Sequence, residues 1–223
     1  KTAYEIRNCD WSSDVCSSDL VSAASRAGET LGEVHPQFVG TNWGNMPLRT
    51  ATAQVLGESD VVFLALPHGE SAAIVRDLPE SQKVIDLGAD FRLADAQAWT
   101  HYYGGEHPGT WPYGLPELPG ARDAIAAATR VANPGCYPTS VAVAMAPLLR
   151  AGVGEPRDVV VVAASGTSGA GRRVSDALLA STVLGDISAY KVGGLHQHTP
   201  EMEQTLSSAA NTEVKVSFTD RKS

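Results

Sequence analysis

Cysteine is scarce in this chain, three in 223 residues, and so small and odd a number cannot build a disulfide scaffold. Long apolar runs are missing too. No stretch approaches the roughly 20 residues that a membrane helix needs, so a transmembrane protein is not expected. Positive charge is short, with 17 Lys and Arg against 25 Asp and Glu and a net charge of −8. The basic footprint of a nucleic-acid binder is therefore absent. There is no apolar segment of signal-peptide type, and few cysteines with no leader suit a cytoplasmic protein. What is present is ordinary for a globular enzyme: 43% hydrophobic and 19% charged residues, with 21 Gly and 13 Pro that favour a loop-rich α/β chain over a helical bundle.

The run Asp60–Leu66 is continuously apolar and β-branched, as in a strand of a parallel sheet covered on both faces. A turn at Pro67–Gly69, a helix over Glu70–Leu78 and a second strand over Lys83–Leu87 follow. Strand, turn, helix, strand is the rhythm of a doubly wound sheet. Residues 21–57 read as loops and a short helix, and Ala89–Gly120 as a segment without regular structure. Further on the pattern predicts a strand lead-in at Arg130–Ala132, a helix over Pro138–Arg150 and a strand over Asp158–Ala164. A helix over Pro200–Ala210 and a strand over Val214–Phe218 complete it. The change of rhythm near Cys136 suggests a domain switch there.

Five places could carry chemistry. Cys136 lies between a Pro-Gly turn and a helix start. Unpaired N–H groups and partial positive charge at a helix N-terminus favour the nucleophilic thiolate; the alternative is a buried structural cysteine. His196 and His198 precede a helix carrying Glu201 and Glu203, and suit an acid–base partner for a thiol. Two surface histidines, or a metal pair with the wrong spacing for helical zinc ligands, are the other readings. Ser165–Arg172 is a Gly-rich loop after a strand, neither GxGxxG nor a phosphate-binding P-loop, with Arg172 and Arg173 at its end. The Asp86–Arg92 cluster follows a strand, where open α/β sheets bind ligands, and Arg92 could clamp a phosphate or form a structural pair with an aspartate. His68 has the same placement after its strand.

Seven motifs together resemble the N-acetyl-gamma-glutamyl-phosphate reductase family: LGEVHP, FLALPHGES, DLGADFRL, YGLPEL, ANPGCYPTS, SGTSGAGR and HQHTPEMEQ. The likeness covers nearly all of Val21–Thr219. It implies α/β plus α+β architecture, with a partial Rossmann-type NADP-binding domain over 21–135. A partial glyceraldehyde-phosphate-dehydrogenase-like catalytic and oligomerisation domain follows over 136–219. It implies an arginine-biosynthesis oxidoreductase in which Cys136 attacks an acyl phosphate to give a thioester that NADPH reduces. His198 or His196 is the implied acid–base, and Arg92, Arg172 and Glu201 the substrate contacts. Leu66, Pro67, His68, Gly69, Ser168, Gly169 and Gly171 would lie along NADP(H), and the complete protein is expected to be a homo-oligomer. Aspartate-semialdehyde dehydrogenase and aminoadipyl-phosphate reductase are the enzyme alternatives; an oligomerisation or binding module is the non-enzyme one.

The two ends read differently. Residues 1–20, KTAYEIRNCDWSSDVCSSDL, and 220–223, DRKS, resemble the translation of a short-read sequencing adapter and of its reverse complement. Such scars are set aside from fold reasoning. Cys9 and Cys16 leave with the first, so Cys136 is the remaining cysteine. On this reading the chain is an internal fragment without the Gly-rich pyrophosphate turn with which the family opens. It is then expected to bind NADP poorly and to be inactive or aggregating.

Overall fold

The computed structural model describes residues 20–23, 26–170, 176 and 179–222. In chain order the helices are α1 (Leu31–Val34), α2 (Ala53–Leu56), α3 (Ser71–Asp77), α4 (Ala96–Tyr102), α5 (Ala121–Ala127), α6 (Cys136–Arg150), α7 (Ala180–Val183) and α8 (Thr199–Ala210). The strands are β1 (Val21–Ala23), β2 (Leu48–Thr50), β3 (Val61–Leu64), β4 (Lys83–Asp86), β5 (Arg130–Ala132), β6 (Val159–Ser165), β7 (Ser188–Tyr190) and β8 (Val216–Lys222).

The first half is parallel throughout. β1 pairs with β2, and β3, β4 and β5 lie in that order in a second sheet. Val62, Leu64, Val84 and Ala132 turn inward and meet Val75 of α3 and Phe91 in one core. In the second half β8 is central, parallel to β6 and antiparallel to β7. The helices α6 and α8 pack over it, and Val141, Leu149, Met202, Leu206, Val216 and Phe218 form the second core. Parallel sheets in the first half and a mixed sheet in the second agree with the α/β plus α+β class read from the sequence.

The expected strands and helices are present with bounds shifted by one or two residues, but several elements depart from expectation. Ala89–Gly120 is not without regular structure: it contains α4. That helix opens on Asp95, whose side chain accepts a hydrogen bond from the Gln97 amide at 2.8 Å, the usual work of an N-cap aspartate. The segment 21–57 holds two short strands as well as helices. The helix after the Pro-Gly turn begins at Cys136 itself, two residues before Pro138. The last strand does not stop at Phe218. It continues through Lys222, with Asp220 and Lys222 buried and register kept against Ala163 and Ser165 of β6. Alternation of inward and outward side chains carries on through those residues, so the pleat accepts them.

Candidate active site

The two halves meet at the start of α6. Gly135 is the N-cap residue of that helix, with extended backbone (φ −68°, ψ 155°). Its carbonyl accepts bonds from the Thr139 amide at 2.9 Å and the Thr139 hydroxyl at 2.8 Å. Its N–H does not serve the helix; it donates to Glu201 Oε1 at 2.8 Å. Cys136 follows as the first helical residue and is exposed. The bland alternative of a buried structural cysteine is therefore not what the structure shows.

Glu201 sits in the first turn of α8 and is only 1% exposed. Besides the Gly135 N–H, its Oε1 accepts the Tyr113 hydroxyl proton at 2.6 Å, and its Oε2 lies 3.5 Å from Arg92 Nη1. A buried carboxylate needs this many partners to remain charged. The neighbouring charge and burial push the Tyr113 hydroxyl well above its ordinary range, burial first. Arg92, also buried, is fixed by a second bond from Nη2 to the Leu87 carbonyl at 2.8 Å. Gln204 of α8 completes the join, donating to the Arg92 carbonyl at 3.0 Å and accepting from the Ala94 amide at 2.8 Å. One carboxylate thus holds three segments against the residue that precedes the thiol.

The histidines lie on the same spot. A Cβ built on Gly135 would stand 3.0 Å from His198 Nε2, and at the same distance from Arg92 Nη1 and Glu201 Oε2. His198 is the histidine beside the Cys136 turn. His196 stands behind it, ring centroids 4.9 Å apart, and its Nδ1 accepts the His198 amide proton at 3.1 Å. That bond leaves the remaining His196 proton on Nε2, which faces Asp220 Oδ2 at 3.9 Å. Burial is the main force holding both rings neutral, with folded pKa values of about 4 for His196 and about 3 for His198. Among the described residues the buried His198 Nδ1 has no hydrogen-bond partner. Tyr137 packs edge-on to both rings and donates its hydroxyl proton to Asp220; burial and that bond push its pKa up to about 12.

The other expected residues divide. Leu66, Pro67, His68 and Gly69 follow the C-terminal end of β3. His68 is exposed, with its ring edge-on to Tyr103 at 5.2 Å. The Gly69 and Ala72 amides, which lead into α3, already donate to Asp90, at 2.7 and 3.1 Å. Asp86 is likewise structural, accepting from Ser71 Oγ at 2.8 Å and the Gly88 amide at 3.0 Å. Neither aspartate pairs with Arg92. Ser168 and Gly169 lie on a short 3-10 turn, Thr167–Ala170, where a Cβ built on Gly169 would meet Lys222 Nζ at 3.6 Å. Gly171 and Arg172 fall outside the described residues. Sequence reasoning missed Tyr113 and Gln204; both lie inside the seven motifs, which was the only signal available.

Around Gly135, which precedes the exposed Cys136, lie Arg92, which follows β4, and Glu201 and His198 at the start of α8. Residues 11–128 match the family model described as "Semialdehyde dehydrogenase, NAD binding domain", and residues 136–221 match "Semialdehyde dehydrogenase, dimerisation domain". Among curated proteins, N-acetyl-gamma-glutamyl-phosphate reductase of Acidothermus cellulolyticus is 59% identical over 200 residues, covering 90% of this chain and 58% of the relative. The protein of the same name from Salinispora arenicola is 56% identical over 188 residues, covering 83% and 55%. The chain therefore spans little more than half the length of these relatives. Aspartate semialdehyde dehydrogenase from Candida albicans, solved with NADP, shares the fold at TM-score 0.64 and 14% identity, covering 92% of this chain and 60% of that one. The enzyme of that name from Francisella tularensis superposes at TM-score 0.56, also at 14% identity, over 91% and 64%. With one family model covering more than half of the residues and the second most of the remainder, the chain belongs to the semialdehyde dehydrogenase family.

Proposed function

We propose that this chain carries the nucleophile of an NADPH-dependent oxidoreductase of arginine biosynthesis, which converts N-acetyl-glutamyl 5-phosphate to N-acetyl-glutamate 5-semialdehyde. The observation that carries the reading is the exposed Cys136 at a helix start, with the neutral His198 against the preceding glycine. Relatives 53–59% identical bear the reductase name, which favours this substrate over aspartyl or aminoadipyl phosphate.

The residues divide the work as follows. His198, unprotonated, takes the thiol proton as Cys136 Sγ attacks the acyl carbon. The C–O bond to the phosphoryl group breaks, inorganic phosphate leaves and a thioester on Cys136 remains. The helix N-terminus of α6 favours the negative charge that passes through the sulfur. Reduced nicotinamide, when bound, supplies the hydride that turns the thioester carbon into the aldehyde. Cys136 then departs as thiolate and recovers the proton from His198. A thioester accepts hydride far better than a carboxylate, so covalent catalysis splits one hard step into two.

In this reading Leu66, Pro67 and His68, which follow β3, lie along the nicotinamide ring. The described residues offer the pyrophosphate less: the amides leading into α3 are already taken by Asp90. We therefore expect NADP(H) to bind weakly to this chain. Residues 1–20 and 220–223 are read as adapter-derived, which makes Asp220 and Lys222 foreign charges beside Tyr137 and His196. A homo-oligomer forms in this reading through the β6–β8–β7 sheet, whose β6 shows Val160 and Val162 to solvent at 70% and 65% exposure, and the protein works in the cytoplasm.

The deciding experiment needs no cofactor. Acyl phosphates of N-acetyl-glutamate, aspartate and N-acetyl-aminoadipate are offered in turn, and phosphate release and the mass of the Cys136 peptide are followed. The reading expects one phosphate per chain and an acyl adduct on Cys136, fastest with N-acetyl-glutamyl phosphate and abolished in Cys136→Ser. Faster acylation by aspartyl phosphate would replace the substrate, and no acylation by any would remove the enzyme reading.

A further inference from the structure

Among the described residues, Lys191 is a cation with no carboxylate to hold. It follows β7, half-buried, in a chain with an excess of acidic residues. Its ammonium donates to the neutral side chain of Gln197 and lies 5.6 Å from the Tyr190 ring centroid. Among the described residues no carboxylate forms an ion pair with it. The other cations near the site differ: Arg92 is paired with Glu201, and Lys222 with Asp220 at 2.9 Å. Lys191 is also held in left-handed backbone conformation, φ 46°, which costs any residue with a Cβ and suits glycine.

The loop that carries it is fastened to the end of α4. The Tyr102 hydroxyl donates to the Gly194 carbonyl at 2.9 Å, and the Tyr103 hydroxyl to that of Gln197 at 3.4 Å. Tyr103 carries His68 on one side, and the Tyr190 ring lies 6.3 Å from that of His196, itself against His198. The positive charge of Lys191 adds to the lowering of the His196 and His198 pKa values, though burial does most of that work. An ammonium in strained backbone, tethered by an amide and facing neutral rings, is poised for an anion that the protein itself does not provide.

We propose that Lys191 is the cationic contact for the phosphoryl group of the substrate that reaches Cys136. This rests on Cys136 being the nucleophile. It also rests on β7, which leads into Lys191 and pairs with Asp220, Arg221 and Lys222.

The test compares two reagents that differ in charge. Cys136 is alkylated with iodoacetate and with iodoacetamide at low ionic strength, and the modified peptide is followed by mass so that Cys9 and Cys16 do not contribute. The variants are Lys191→Met, Lys191→Gly and Lys191→Arg. Losing the charge is expected to lower the iodoacetate-to-iodoacetamide rate ratio by about threefold to tenfold, the size of one screened charge nearby, while Lys191→Arg keeps it. Lys191→Gly should melt no lower than the parent, because glycine is at ease at this φ; a merely structural lysine would show the reverse. An unchanged ratio in both Lys191→Met and Lys191→Gly overturns the proposal. If Cys136 resists both reagents, the nucleophile reading is what has failed, and a second measurement decides Lys191. Inorganic phosphate should slow acetylation of Lys191 severalfold while leaving exposed Lys215 unaffected. Equal slowing at both, or protection by NADP alone, overturns it.

Discussion

Replacing Gly135 by alanine tests the architecture of the site with a single methyl group. The backbone there, φ −68° and ψ 155°, is open to every residue, so conformational preference contributes nothing. The cost is steric and electrostatic. The new Cβ would stand 3.0 Å from Arg92 Nη1, Glu201 Oε2 and His198 Nε2, and none of the three can swing aside freely. Arg92 is tied to the Leu87 carbonyl, and Glu201 to the Gly135 N–H and the Tyr113 hydroxyl. Overpacking of this kind costs about 1–3 kcal/mol, and loosening a hydrogen bond to a buried charge about 1.5–3 kcal/mol more. Taking about 2.5–6 kcal/mol together, and about 2–4 °C per kcal/mol for a chain of this size, the melting temperature should fall by roughly 5–24 °C. Cys136 alkylation by iodoacetamide should change in the same variant, since Gly135 fixes the turn before the thiol. Gly32→Ala, in a tight spot against the Gly44 backbone in the first half, controls for general destabilisation and should leave the alkylation rate of native chain unaltered. A Gly135→Ala chain that melts within about 1–2 °C of the parent and alkylates at the same rate would refute the convergence of the three side chains.

Further expectations follow from the same geometry. Tyr113→Phe removes one donor from buried Glu201 and should cost about 1–3 kcal/mol in urea unfolding; no change would mean the hydroxyl is not bonded there. Asp90→Ala frees the Gly69 and Ala72 amides and should destabilise by about 1–2 kcal/mol, as loss of a helix cap does. His196 and His198 are held at about 4 and about 3, below the ordinary 6.5, so the unfolded chain binds more protons between those values. Their contribution is therefore complete above about pH 6.5 and is lost as pH falls toward 4 and 3, at up to about 1.4 kcal/mol per pH unit for each ring. Urea midpoints at pH 7.5 and pH 5 check this, and His198→Asn should flatten the difference. Sequencing the source DNA across codons 20–21 and 219–220 should show a frame that does not encode Leu20 before Val21 or Asp220 after Thr219; a genomic frame that encodes both would remove the adapter reading.

Much of the site was legible because it rests on local signals. The Pro-Gly turn before Cys136, the HxH spacing and the apolar run of β3 each announce themselves within ten residues. What joins them does not. Glu201 meets partners 66, 88 and 109 residues away, and no periodicity encodes such pairings. Glu201 and Arg92 were expected to face substrate; the structure shows them buried against each other, with Glu201 turned to Gly135. The helix α4 was hidden by the aromatic, Gly-rich stretch around it, although Asp95 marks its start. The strands β2 and β7, three residues each, are too short to show an alternation. Lys191 gave no signal, because only its backbone and surroundings distinguish it from any surface lysine.

The order of the second sheet has a consequence for how the chain is made. Its middle strand, β8, is the one synthesised last of the three, so β6 and β7 emerge from the ribosome with no partner for their facing edges. Until residues 216–222 arrive, β6 presents an unpaired edge and exposed valines, the combination that recruits neighbouring chains. A nonsense codon or proteolytic cut before Val216 should therefore produce inclusion bodies rather than a smaller soluble protein. Slow translation of the segment before β8 would lengthen the same window of risk.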